Sequence, residues 1–211
     1  AHPAAPPNVL KRVVTVLPEP VTRFIVPFVD VVHNRAAIEI MRGCTRGCRF
    51  CQAGMITRPV RERSIETIGA MVENGIRKSG FDEVGLLSLS SADHTEIGEI
   101  ASGLADRYED AEVSLSLPST RVDAFNITLA NEFSRNGRRS GLTFAPEGGS
   151  ERMRKVINKM VTEDGLIRTV AAAYSHGWRQ VKLYFMCGLP TETDDDVLQI
   201  AELAKRVIAT G

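Results

Sequence analysis

The sequence predicts an α/β fold in which parallel strands form an open or incomplete barrel. Three observations predict it. From residue 36 onward, strand-patterned segments alternate with helix-patterned ones, and repeated β-then-α units give a parallel sheet with right-handed crossovers. Five such units fit within 211 residues, whereas an eight-unit barrel needs ~250 residues. Three of the four cysteines lie in one short loop directly after the first strand. That is the end of an α/β sheet where chemistry collects.

Residues 1–10 are rich in Pro and Ala and are expected to be disordered. Between Lys11 and Asn34, β-branched runs are broken by Pro18, Pro20 and Pro27, which reads as an extended linker with one or two edge strands. Residues 1–34 are therefore expected to form a linker, and residues 35–211 a single core domain. Ala36–Met41 is the first strand. Ser64 caps a helix whose Ile65, Ile68, Val72 and Ile76 share a face, and Gly80 ends it. Val84–Ser90 is a strand and Thr95–Tyr108 a helix with Ile97, Ile100 and Leu104 on one face. Val113–Leu117 is a strand stopped by Pro118, and Asp123–Arg135 is a helix closed by Asn136-Gly137. Gly141–Ala145 is the fourth strand, followed by helices over Glu151–Lys159 and Glu163–His176. Val181–Cys187 is the fifth strand. Asp194–Ala209 is the last helix, its three leading aspartates favourably placed at the N-terminal dipole.

Composition narrows the function classes. Hydrophobic residues are 43% and charged residues 25%, enough for a packed core. Lys+Arg and Asp+Glu are both 26, so the net charge is zero, against a chain-wide nucleic-acid footprint. No apolar run reaches ~18 residues, so no membrane span is expected. The first residues lack both the apolar core of a signal peptide and an initiator Met, which suggests a cut or processed chain.

Cys44-Thr45-Arg46-Gly47-Cys48-Arg49-Phe50-Cys51 has the spacing C-x3-C-x2-C. Three thiolates gathered in a loop hold a soft metal or an iron–sulfur cluster. Three ligands on a four-iron cubane leave one iron open to a small molecule, the logic of the open position in a catalytic zinc site. Arg42, Arg46 and Arg49 are placed to lower the cost of clustered thiolates. The alternatives are structural zinc, with His33 or His94 as fourth ligand, and a redox switch. Neither histidine shows a zinc-finger spacing. His94 is otherwise expected as a surface loop residue, and Cys187 as a small buried one.

The run Met41–Cys51, including aromatic Phe50 before the last Cys, resembles the signature of the radical S-adenosylmethionine (SAM) superfamily. The resemblance implies a partial (β/α)6 barrel with five strands visible and a sixth beyond Gly211. It also implies a [4Fe-4S] cluster on Cys44, Cys48 and Cys51 whose open iron chelates SAM. One electron then cleaves SAM to a 5′-deoxyadenosyl radical that abstracts a substrate hydrogen.

Where many members carry Gly-Gly-Glu after the second strand, this chain has Ser88-Leu89-Ser90-Ser91-Ala92-Asp93-His94. Ser90, Ser91 or Asp93 can accept from the SAM ammonium; alternatively Asp93 or Thr95 caps the next helix. Arg121 after the third strand either pairs with the SAM carboxylate or is a solvated helix-start residue. Phe144–Glu151, continued by Ile157-Asn158-Lys159, resembles the family's Gly-x-Glu-Ser-Gly-Ser segment with Pro146 in place of its first Gly. By that resemblance Glu147 contacts the SAM amino group or ribose, and Gly148 and Gly149 permit close backbone approach. Alternatively the segment is a turn and helix start capped by Ser150. The fifth strand ends in Gly188-Leu189-Pro190-Thr191-Glu192-Thr193, resembling a motif that packs the adenine, here through Met186, Gly188 and Leu189.

Over residues 33–211 the wording is similar to bacterial proteins with a cobalamin-binding domain before the radical SAM domain. The shared wording includes Arg58–Ser64. Elongator-type and methylthiotransferase-type cores are more distant. The resemblance thus implies cobalamin for a longer parent only, and an electron donor such as flavodoxin or ferredoxin. A non-catalytic metal-binding or interaction module is the competing expectation. RNA is a further partner candidate, through the Arg-rich stretches Arg58–Arg63 and Arg135–Arg139. Free thiols beside a reduced cluster imply the cytoplasm.

Overall fold

The computed structural model describes residues 4, 6, 8, 10–21, 23–29, 31–118, 121–124, 126–135 and 141–211. β1 (Ala36–Glu39) leads into β2 (Met41–Arg42), the cysteine loop with α1 (Gln52–Ile56), and β3 (Arg61–Glu62). The units α2 (Ile65–Ser79) with β4 (Glu83–Leu87), and α3 (Ile97–Arg107) with β5 (Ser114–Ser116), follow. Then come α4 (Ile127–Ser134), β6 (Leu142–Glu147), α5 (Glu151–Val156), α6 (Glu163–Ser175), β7 (Val181–Phe185) and α7 (Asp194–Ala209).

All five principal strands are parallel, as expected. They form two sheets, β1-β4-β5 and β6-β7, with no ladder joining them among the described residues, so the barrel is open. Each sheet has its own core. Ile38, Ile40, Val84, Leu86 and Leu115 pack under Ile68, Val72, Ile100 and Leu104 of α2 and α3. Phe144 packs with Leu166 and Val170 of α6 and Leu203 and Val207 of α7. β4 is buried on both faces at Val84, Gly85 and Leu86, as befits the central strand of a covered parallel sheet.

Local chemistry sets the helix ends. Ser64 accepts from the Thr67 amide at the start of α2, and Gly80 closes it in the left-handed conformation (φ 73°). Thr162 caps α6. Thr193 and Asp196 form a reciprocal capping box on α7, which spans the range the sequence predicts.

Several expectations change. The predicted first strand divides after Glu39: its last residues leave β4 and pair antiparallel with β3, Met41 opposite Glu62 and Arg42 opposite Arg61. This pair closes the cysteine loop at its base. The expected helix start at Asp123 is a 3-10 turn, Val122–Ala124, because Asn126 caps α4 through the Thr128 amide at 2.8 Å. α3 starts at Ile97 with no side-chain cap. The expected cappers bond elsewhere: the Thr95 amide donates to Glu62 Oε1 at 3.0 Å, and Asp93 faces Ser90 and two arginines.

No strand forms among the described residues of 11–34. The segment is held by side chains instead: Arg61 donates to the Val14 carbonyl, Arg63 to that of Pro18, and Phe24 packs edge-on against Phe81 at 6.5 Å. Pro18, Pro20 and Pro27 carry no N–H to donate to a ladder. Asn136-Gly137, and much of residues 1–10, lie outside the described residues.

Candidate active site

The cysteine loop begins at Gly43, whose φ of 103° and crowding by the Thr57 and Pro59 carbonyls exclude a side chain. Cys44, Cys48 and Cys51 are free and partly exposed. The Arg46 amide donates to Cys44 Sγ at 3.4 Å, and the Gly54 amide to Cys51 Sγ at 3.3 Å, where Cys51 caps α1. Burial raises the Cys48 thiol pKa. The nearby Lys159 opposes this, Cys44 and Cys51 raise it further, and Arg121 lowers it. The three cysteines lie on one loop that follows β1 and β2. The expected helpers are otherwise engaged: Arg42 pairs with Glu39 at 2.6 Å, Arg46 with Asp93 at 3.3 Å, and Arg49 donates to the Val156 carbonyl. Lys159 and Arg121 are the cations acting on Cys48, and Lys159 lies 111 residues downstream of it. The only sequence signal for Lys159 was its place after Ile157-Asn158.

The donor set fits a cluster better than zinc. Both ring nitrogens of His94 are taken, Nδ1 by the Glu96 amide at 3.1 Å and Nε2 by the Arg63 carbonyl at 3.1 Å. His94 is thus a buried structural residue (2% exposed), not the surface residue expected. His33 lies 3.3 Å from the Arg35 guanidinium. Among the described residues, no three His, Cys, Asp or Glu side chains converge on one ion. A single zinc with bonds of ~2.3 Å draws its thiolates close together. A multi-iron cluster takes three soft thiolates from one loop and needs no fourth side chain.

Beside Cys48 is a cleft of about 190 Å³ lined by Arg46, Gly47, Arg121, Asn158 and Lys159. After β4, the 3-10 turn Ser91–Asp93 organises the next candidates. Ser91 is buried, donates to the Leu86 carbonyl at 3.0 Å, and bonds Ser88 at 2.9 Å. Buried Ser90 donates to Asp93 Oδ2 at 2.7 Å. Asp93 faces Arg46 and Arg121, the latter at 2.9 Å. Burial raises the Asp93 pKa, but the Ser90 and Arg46 hydrogen bonds and the Arg121 charge outweigh it and hold the carboxyl below its ordinary range. Arg121 is therefore not a solvated helix-start residue. Ser119 and Thr120 beside it lie outside the described residues.

Glu147 ends β6 at φ 70°, pairs with Lys159 at 3.4 Å, and accepts from the Met186 amide at 2.8 Å through its carbonyl. This joins the ends of β6 and β7. Gly148 and Gly149 are buried, and their close approach is internal: a Cβ on Gly148 would meet Met153 at 2.9 Å, and one on Gly149 the Asp196 carbonyl at 2.4 Å. Ser150 caps α5, as the alternative reading of this segment has it. Gly188 (φ 81°) and Leu189 donate their amides to Glu192 Oε2, at 2.5 and 3.2 Å. β7 is half exposed because it has one strand neighbour, and Cys187 is exposed rather than buried. Phe50 is 41% exposed on the cysteine loop.

Two residues that sequence reasoning missed hold this rim. Asp196 accepts from Arg152 and Ser150, tying the β6 loop to α7; these bonds hold its carboxyl far below the usual range. The signal was available as Thr193-x-x-Asp196, a capping-box spacing. Arg154, 1% exposed, donates to the carbonyls of Gly148, Gly149 and Val161 at 3.0, 2.9 and 2.7 Å. Nothing in the sequence separates it from a surface helix arginine.

The Arg58–Arg63 stretch is likewise structural. Arg58 donates to the Cys44 and Arg46 carbonyls, Arg61 to those of Thr57, Pro59 and Val14, and Arg63 to those of Glu39 and Pro18. Its guanidinium groups are spent on main chain rather than presented as a phosphate patch. Residues 136–139 of the second stretch lie outside the described residues.

Residues 38–204 match the family model described as the radical SAM superfamily. An uncharacterised protein of Methanocaldococcus jannaschii is 38% identical over 170 residues, covering 81% of this chain and 36% of that protein. A tRNA-2-methylthio-N(6)-dimethylallyladenosine synthase of Parabacteroides distasonis is 25% identical, covering 83% and 40%. The chain thus spans well under half the length of these relatives. Among solved structures, the fold resembles TsrM of Kitasatospora setae, a radical S-adenosylmethionine methyltransferase with cobalamin and a [4Fe-4S] cluster bound. The TM-score is 0.68 at 12% identity, covering 82% of this chain and 35% of that one. It also resembles the cobalamin-dependent radical enzyme OxsB, with TM-score 0.65 at 16% identity, covering 79% and 26%. No helix among the described residues is long and apolar enough to cross a membrane.

Proposed function

The chain belongs to the radical SAM superfamily, and from that premise we propose that Cys44, Cys48 and Cys51 hold a [4Fe-4S] cluster and that the cationic cleft beside Cys48 receives the amino-acid end of SAM. The family works with this cluster and with SAM, and the chain is the SAM-cleaving core of a radical enzyme. Held by these three cysteines, a reduced cluster would supply one electron to the SAM sulfonium, whose C5′–S bond would break to give methionine and a 5′-deoxyadenosyl radical. We take residues 35–211 as the core domain and 1–34 as an extended linker, of whose described residues Val14, Pro18 and Phe24 contact the core.

The remaining roles belong to side chains of this protein. Lys159 and Arg121 offset the negative charge gathered around Cys48. Asp93 is already shared by two arginines and Ser90, so it positions Arg121 toward the SAM carboxylate rather than acting as the free acceptor of the ammonium. Ser90 and Ser91 hold Asp93 in turn. Glu147, paired with one lysine, is the carboxylate that meets the SAM ammonium or ribose. Gly148 serves packing beneath it. Met186, Gly188 and Leu189 lie on the rim segment joined to Glu147 and line the adenine side. Phe50, exposed on the cysteine loop, is free to contact SAM once it is bound.

One observation carries the reading: three cysteines spaced C-x3-C-x2-C on a loop closed at its base by the β2-β3 pair, beside a cleft lined by Cys48, Arg121 and Lys159. The test is electron paramagnetic resonance on the anaerobically reconstituted, reduced protein, with and without SAM. A cubane signal that changes on adding SAM is expected. Zinc without acid-labile sulfide would refute the reading.

The electron comes from a low-potential donor such as a flavodoxin or ferredoxin in the cytoplasm. Of the two reaction classes considered, methyl and methylthio transfer, the similarity to a tRNA-2-methylthio-N(6)-dimethylallyladenosine synthase favours methylthio transfer. Cobalamin, if used, belongs to a longer polypeptide. RNA as substrate draws no support from Arg58–Arg63, whose guanidinium groups are occupied.

A further inference from the structure

The cysteine loop is gripped from two sides through its carbonyl oxygens. Arg58 Nη2 donates to the Arg46 carbonyl at 2.6 Å, and its Nε to the Cys44 carbonyl at 3.4 Å. From the far side of the site, Asn158 Nδ2 donates to the Gly47 carbonyl at 2.8 Å. Asn158 stands in the left-handed conformation (φ 55°), which aims its amide at the loop, and Gly47 sits so close that a Cβ there would be 2.9 Å from that amide. The Arg49 amide completes the attachment by donating to the Ile157 carbonyl at 2.9 Å. Three nearly consecutive carbonyls are thereby fixed on donors, while main-chain N–H groups of Arg46 and Gly54 point at Cys44 and Cys51 sulfur.

The physical consequence is directional. A carbonyl turned toward an anionic cluster repels its charge, and an N–H turned toward sulfur attracts it. Donors that hold the carbonyls away preset the loop to receive the cluster before it arrives, the task of the outer groups that orient metal ligands.

We propose that Arg58 and Asn158 are positioning residues for the cluster: they act through the Cys44, Arg46 and Gly47 carbonyls to keep the loop in its ligating conformation. This rests on the cluster assignment above.

The test compares wild type with Asn158→Gly, which suits the left-handed backbone and removes the side chain with its amide, and with Arg58→Gln and Arg58→Lys. All are taken as the full 211-residue chain, reconstituted anaerobically. Iron and sulfide content, iron loss to a chelator, the midpoint potential and the melting temperature before reconstitution are measured. Asn158→Gly and Arg58→Gln are expected to melt as wild type does, to lose iron at least ~10-fold faster, and to reduce at a more negative potential. Arg58→Lys, with one donor in place of the fork, should fall between. Wild-type iron retention and potential in Asn158→Gly and Arg58→Gln would overturn the inference alone. A wild-type chain that takes up no cluster would overturn it together with the reading it rests on.

Discussion

Arg121 Nη1 lies 2.9 Å from Asp93 Oδ2, and Arg46 reaches the other oxygen of the same carboxylate at 3.3 Å. One side chain thus ties the end of β5 and the cysteine loop to the turn after β4. Each of the two arginines leaves its own segment to meet it, so the loops at the C-terminal rim of the β1-β4-β5 sheet are cross-linked to one another.

Removing that carboxylate should show in the pH dependence of stability. The folded pKa of Asp93 is depressed, so its ionised form stabilises the fold above the unfolded value of ~3.9, and this is lost as the pH falls through the folded value. Urea unfolding of Asp93→Asn should therefore weaken less than wild type between about pH 5 and pH 3. A double-mutant cycle with Arg121→Met should give a coupling of about 1 kcal/mol. Parallel pH curves for both proteins would refute the assignment.

Each of Cys44→Ala, Cys48→Ala and Cys51→Ala should retain less than about a tenth of the wild-type iron after desalting, since each removes one of three cluster ligands. Exposed Cys187→Ala should retain all of it. Colorimetric iron and sulfide analysis distinguishes them, and equal loss in all four would point to non-specific binding.

Glu147→Gln should weaken SAM binding by about tenfold, the cost of a lost charged hydrogen bond. The cluster content should stay near wild type, because Glu147 touches Lys159 and not the cysteines. Calorimetric titration of the reconstituted protein measures the first, and iron analysis the second.

Two glycines should respond oppositely to alanine. A Cβ on Gly149 meets the backbone of α7, the Asp196 carbonyl at 2.4 Å, so Gly149→Ala should cost about 1–3 kcal/mol. Gly69 lies inside α2 with open space around it, so Gly69→Ala should stabilise by about 0.5–1 kcal/mol. Thermal unfolding measures both.

The sequence by itself determined the order of the five parallel strands and of the helices between them, because period-2 and period-3.6 patterns and the helix ends at Ser64 and Gly80 are local properties. It also determined the cysteine triplet, whose spacing states its chemistry without a fold. Tertiary structure decided which charges serve that triplet. Arg42, Arg46 and Arg49 flank the cysteines in the chain, yet their guanidinium groups turn to Glu39, Asp93 and Val156. Lys159 and Arg121 act on Cys48 in their place. It likewise decided that Gly148 and Gly149 are small for the sake of α5 and α7, that His94 is buried, and that the predicted first strand bends at Ile40 to close the loop. Covalent neighbours share a local pattern, but electrostatic and steric terms fall with distance in space. Distance between residues 48 and 159 exists only once the chain has folded.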